Sequence, residues 1–149
     1  MDEQAIAEIA AWATLAVNAV AAANAGWGWW QVRPSDRAWP LLRAGQAVAV
    51  VQALVAGILF AAGYQPDDGL YWLYALLPIA IGVIAEQLRI ASAEQVLENR
   101  GLENAQAVGD LTEQQQHSVV LSIVRREVGV IALAAGVVAF LALRAALIA

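Results

Sequence analysis

The sequence predicts an all-α, polytopic membrane protein: a four-helix transmembrane bundle whose third and fourth helices extend into a cytoplasmic antiparallel helical hairpin. Three observations carry this prediction. Four apolar stretches, Ile6–Gly26, Leu41–Ala62, Leu70–Ala85 and Val128–Ile148, each approach or reach the roughly 20 residues a helix needs to cross about 30 Å of hydrocarbon. The fourth contains Val128–Leu143, a run with no charged side chain, where a soluble helix would need a polar stripe. Finally, the arginines fall on one side of the pattern. Arg33, Arg37 and Arg43 flank the first connection, and Arg89, Arg100, Arg125 and Arg126 flank the third; only Arg144 lies elsewhere.

Basic loops stay in the cytoplasm. The N-terminus (Asp2, Glu3, Glu8) and the second connection (Gln65, Asp67, Asp68) carry acidic residues and no basic ones. Both termini are therefore expected outside and connections one and three inside, in a bacterial-type plasma membrane. The chain of 149 residues reads as one integral membrane domain. Its spans cover about residues 6–30, 41–62, 70–87 and 127–148, and the cytoplasmic hairpin about 88–126.

Composition agrees with this class. The chain is 61% hydrophobic and 14% charged, well away from the mix of a soluble domain. With no cysteine, disulfides, thiolate metal sites and cysteine-linked lipid anchors are excluded. A net charge of −5 speaks against a nucleic-acid partner. The bilayer is the expected partner, together with a second copy or another membrane protein, and the inner arginines are placed to meet anionic headgroups.

Span one is alanine-rich and lacks the basic n-region of a cleaved leader, so it reads as a retained span. Trp27, Trp29 and Trp30 mark its inner end and Trp39 lies across the loop; indole rings favour the headgroup level. Pro34 and Pro40 bracket that loop, and Pro40 fits the first turn of span two. Gly63 and Pro66–Gly69 make the outer turn. Tyr71, Trp72 and Tyr74 open span three, and Pro78 inside it predicts a kink. Helix formers then continue to Arg100, Gly101 is a natural C-cap, and Thr112 to Gln115 matches a capping box.

Three constellations stand out. Span two repeats small residues every fourth position at Gly45, Ala49, Ala53, Gly57 and Ala61. Close backbone approach over such residues holds membrane helices together. A companion set in span one (Ala10, Thr14, Asn18, Ala22, Gly26) suggests that the two helices pack on each other, the alternative being that one set faces a neighbouring subunit. Four intramembrane amides, Asn18, Asn24, Gln46 and Gln52, should face protein or water, because hydrocarbon leaves them unsatisfied. At the inner edge, Glu86, Arg89, Arg125, Arg126 and Glu127 form a charge collar, with Glu86 expected opposite Arg126 or Glu127.

His117 stands without a second ligand at metal spacing, and no catalytic triad, P-loop or dinucleotide turn is present. No catalytic residue, cofactor or metal is expected. The favoured role is a small non-catalytic integral membrane protein, self-associating or accessory to a membrane complex, with the polar hairpin as docking surface. The alternative is an oligomeric ion channel or small transporter lined by the amides and the inner collar.

Overall fold

The computed structural model describes residues 2–33 and 36–149. It is all-helical, with four helices long and apolar enough to cross a membrane: α1 (Glu3–Gln31), α2 (Ala38–Ala62), α3 (Leu70–Asn99) and α4 (Glu113–Ala146). Among the described residues no strand forms. Pro34, expected to open the first loop, lies outside the described residues. Pro40 sits in the first turn of α2, where its missing N–H costs no helical bond.

The ends of the helices follow local chemistry. Asp2 caps α1 by accepting a hydrogen bond from the Ala5 N–H at 2.8 Å. Thr112 and Gln115 form the complete capping box at the start of α4, each satisfying one of the N–H groups the first turn leaves open. α3 continues through Pro78 and ends at Asn99 with Arg100 as its C-cap; Gly101, expected as the cap, follows one residue on, and its φ of +67° suits a residue without Cβ. α1 ends less comfortably. Val32 takes φ +53°, a left-handed conformation that strains a β-branched residue.

The helices run up-down-up-down. Gln4 donates from Nε2 to the Ala149 carbonyl at 3.4 Å, closing the end that holds both termini. α1 packs most extensively on α4, then α3 on α4 and α1 on α2, while α2 against α3 is the loosest of the four neighbouring seams. The α1–α4 preference follows from spacing. Buried α1 positions are Ala7, Ala11, Thr14, Asn18, Ala21, Ala25 and Gly28, alternating steps of four and three. Buried α4 positions include Val128, Ile131, Ala135, Val138, Ala142 and Ala145, with the same alternation. That 3.5-residue period is the seam of left-handed antiparallel packing, and small side chains bring the backbones close.

An every-fourth-residue set behaves differently, because each step of four residues turns about 40° beyond a full circle. Five rungs sweep nearly half the helix, so they divide between faces. In α2, Gly45, Ala49 and Ala53 are buried whereas Gly57 and Ala61 are exposed. In α1, Thr14 and Asn18 are buried and Ala10, Ala22 and Gly26 only partly so.

The core is layered along the bundle. Near the termini an apolar cluster joins Ala7, Ala11, Ala56, Leu59, Tyr71, Ala75 and Ala145. At the other end Ala25, Leu42, Val128 and Ile131 form a second. Between them lie the buried polar side chains Thr14, Asn18 and Gln52.

Candidate functional site

The polar layer is built at the α1–α2 seam. Asn18 donates from Nδ2 to the Thr14 carbonyl at 3.0 Å within its own helix and to the Gly45 carbonyl of α2 at 3.3 Å. Thr14 Oγ1 lies 3.0 Å from the Ala10 carbonyl and 3.4 Å from the Val48 carbonyl. Such a bridge requires very close helices. A Cβ on Gly45 would stand 2.5 Å from Asn18 Oδ1, so only glycine fits beneath the amide. Beside it a cavity of about 20 Å³, reached by Asn18, Gly45, Gln46, Pro78 and Ala135, has room for about one water.

The other amides have different surroundings. Gln52 is 1% exposed, and neither Nε2 nor Oε1 has a hydrogen-bond partner among the described residues. Gln46 has left the amide layer for the collar, where Nε2 donates to Glu86 Oε1 at 3.0 Å. Asn24 is half-buried on α1.

The collar brings Glu86, Arg89 and Glu127 together as spacing suggests, but adds Arg43 and leaves Arg125 and Arg126 outside it. Glu86 is met by Arg43 of α2, whose Nη1 lies 2.9 Å from its Oε1. That same guanidinium nitrogen donates to Gln46 Oε1 at 2.8 Å. Arg89 stands between Glu86 at 3.6 Å and Glu127 at 3.9 Å, beyond hydrogen-bond reach. Its guanidinium instead lies over the Trp39 ring, 3.7 Å from the centroid, where the electron-rich face attracts a cation. Glu86 does not reach Arg126. Arg126 donates to Gln95 Oε1 at 2.7 Å, and Arg125 lies over Trp29 at 5.5 Å.

Arg43 and Trp39 are thus the collar residues that spacing overlooked. Their signal was present: Trp39, Arg43 and Gln46 recur at helical spacing, one turn above the arginine-bearing loop.

These contacts pin α2 to α3 at one end, and aromatic rings pin them at the other. Phe60 meets Trp72 edge-on at 5.3 Å between centroids, with Tyr64 beside Trp72 and Tyr71 at 6.3 Å. Between the pins the helices stand apart. One hollow of about 220 Å³ lies towards the collar, with Arg43, Gln46 and Glu86 at its mouth and Pro78 and Gly82 in its floor. A second, of about 310 Å³, is lined by Ala56, Gly57, Phe60, Trp72 and Leu76, with no charged group. The α3 wall reads Trp72, Leu76, Ile79, Val83 and Glu86, alternating steps of four and three. The two hollows share no lining residue and follow one another along the seam as an interrupted crevice, with the 3.5-residue period a further helix would present.

A scan against protein-family models finds no match for this chain, and searches of the curated proteins and of the solved structures find none either.

Proposed function

We propose that the chain is a small integral membrane subunit whose α1–α4 span a plasma membrane with both termini outside, and whose role is association rather than catalysis. The α2–α3 crevice is the single observation that supports this most. A helix pair pinned at both ends and open between is a preorganised groove, and a groove already ordered loses little entropy on binding. Its small floor residues, Ala49, Gly57 and Gly82, let an incoming backbone approach closely, which is how helices associate where lipid supplies no hydrophobic drive. A helix from a second copy is the occupant the reading favours. α3 and α4, at 30 and 34 residues, exceed the roughly 20 that a bilayer requires. Their surplus, residues 88–126, would stand in the cytoplasm as a docking hairpin.

A channel or transporter is the second reading, favoured by Arg43, Gln46 and Glu86 at the mouth of one hollow. Against it, the lining of the other hollow carries no charged group, and Asn18 spends its amide N–H donors on helix carbonyls. Neither feature helps an ion shed its water.

The absence of cysteine makes the test clean. Gly57, whose added Cβ would meet nothing within 4 Å, tolerates Gly57→Cys, and Val20→Cys on exposed α1 is the control. Oxidative crosslinking in native membranes should give a product of twice the 15.7 kDa chain from Gly57→Cys only. A discrete adduct of another mass would assign the accessory role. Equal yields at both positions, or none, would overturn the reading.

A further inference from the structure

We propose that the concavity between α3 and α4 beyond the collar binds a phosphate ester, presented by an anionic lipid headgroup if the helices span a bilayer as argued above. The concavity measures about 330 Å³ and is lined by Val96, Asn99 and Arg100 of α3 and Ser122, Arg125 and Arg126 of α4. Three arginines thus line one hollow in a chain of net charge −5. Among the described residues none of the three has a carboxylate within ion-pair distance, although Glu86 and Glu127 are both engaged nearby.

Each guanidinium is instead held by a neutral partner. Arg100 Nη2 donates to Ser118 Oγ at 3.1 Å, Arg126 to Gln95, and Arg125 lies over Trp29. A neutral partner orients a guanidinium without cancelling its charge, which leaves the remaining N–H donors for an anion. Planar forks of this kind match the oxygens of a phosphate, two at a time.

Trp29 indicates where the anion comes from. It is 41% exposed at the end of α1, and its ring packs so closely on α4 that a Cβ on Gly129 would lie 3.2 Å from it. With exposed Trp27 and Trp30 beside it, this ring belongs to the headgroup level of a bilayer. Arg125, lying over it, faces the same level. The Arg125 edge of the hollow therefore faces the layer where phosphodiesters are most concentrated, with Arg100 at its cytoplasmic end, and basic pockets between helices on the cytoplasmic side are suited to such headgroups.

The purified full chain in neutral detergent can be titrated calorimetrically with short-chain phosphatidylglycerol, with phosphatidylcholine as the zwitterionic reference. Saturable binding of phosphatidylglycerol, tighter than phosphatidylcholine, is expected. Arg100→Gln and Arg126→Gln should each weaken it about five-fold. Arg100→Lys, which keeps the charge, should lose less. Arg37→Gln, at the N-cap of α2 and away from the hollow, should bind as the parent does. Inorganic phosphate that displaces the lipid, with the same dependence on Arg100 and Arg126, would establish the site with a soluble phosphate as its source. Phosphate without effect would establish the headgroup. Binding unchanged by Arg100→Gln and Arg126→Gln, or weakened equally by Arg37→Gln, would overturn the proposal. Release of the chain from membranes by alkaline carbonate would remove the bilayer placement alone, since the arginine dependence in detergent does not rely on it.

Discussion

Replacing Gly45 by alanine is the sharpest probe of the α1–α2 seam. The new methyl would stand 2.5 Å from Asn18 Oδ1 and 3.1 Å from Cγ, so something must move. Asn18 is 4% exposed and holds two carbonyls; turning its amide aside breaks the bond to α2 as well. Overpacking a tight contact costs about 1–3 kcal/mol, and an interhelical hydrogen bond in a membrane is worth about 0.6–2 kcal/mol. The gain in helix propensity returns up to about 1 kcal/mol. Gly45→Ala should therefore destabilise by about 1–4 kcal/mol. Gly57→Ala, with nothing within 4 Å of its new Cβ in the single chain, should gain only the propensity term and be neutral or slightly stabilising when the chain is diluted to monomer in micelles. Unfolding in mixed micelles, followed by circular dichroism, measures both. In an Asn18→Ala background the obstructing amide is gone, so the cost of Gly45→Ala should shrink by more than about 1 kcal/mol, a coupling that additive effects would exclude. Gln52→Met supplies the opposite sign at the same layer. Removing amide atoms that lack partners should leave stability unchanged or raise it by about 1 kcal/mol. Equal effects of Gly45→Ala and Gly57→Ala, or a cost at Gly45 indifferent to Asn18, would refute the close-contact reasoning.

Two further outcomes test the collar and the orientation. Glu86→Gln should couple to Arg43→Gln and add independently to Arg126→Gln, since Arg43 and not Arg126 meets Glu86; with the Arg43 side chain 57% exposed, the coupling should be no more than about 1 kcal/mol. Asp67→Cys and Gln106→Cys, both at exposed positions, report sidedness: an impermeant thiol reagent on intact cells should label Asp67→Cys only, and labelling of Gln106→Cys alone would invert the proposed topology.

Much of the helical framework was legible because it is written in local chemistry. Hydropathy marks the four helices, Gly101 and the Thr112–Gln115 box mark ends, and neither requires knowledge of what packs where. The pairings were less legible. The small residues of α1 and α2 invite an α1–α2 match, yet α1 lies chiefly on α4. Its buried positions repeat at 3.5 residues, whereas the small residues repeat at four, a pattern that winds around the helix. The spacing of the α3–α4 connection carries no sign of Arg43, which reaches Glu86 from the sixth residue of α2. Trp39 has the sequence position of a membrane anchor, yet its ring also covers Arg89, a use that depends on how α2 and α3 are placed. Gln52 could not be sorted from Asn18 by sequence, because both are amides at helix-compatible positions and only the neighbours differ.

The distribution of polar groups bears on the choice between the two proposed functions. A permeation path needs side chains with unspent hydrogen-bonding capacity along one continuous surface. Here the polar side chains lie in separate places with different engagements. Asn18 and Thr14 are turned to the α1–α2 seam and bonded to carbonyls, and Gln46 and Glu86 are tied to Arg43 at one end of the α2–α3 crevice. The far end of that crevice is lined by aromatic, aliphatic and glycine residues. A crevice whose polar groups are confined to one mouth suits an occupant that is apolar along its length and polar where it leaves the bilayer. A transmembrane helix has that profile, and a hydrated ion does not. The basic concavity between α3 and α4 lies on a different seam, so a lipid held there would brace the two longest helices without competing for the groove.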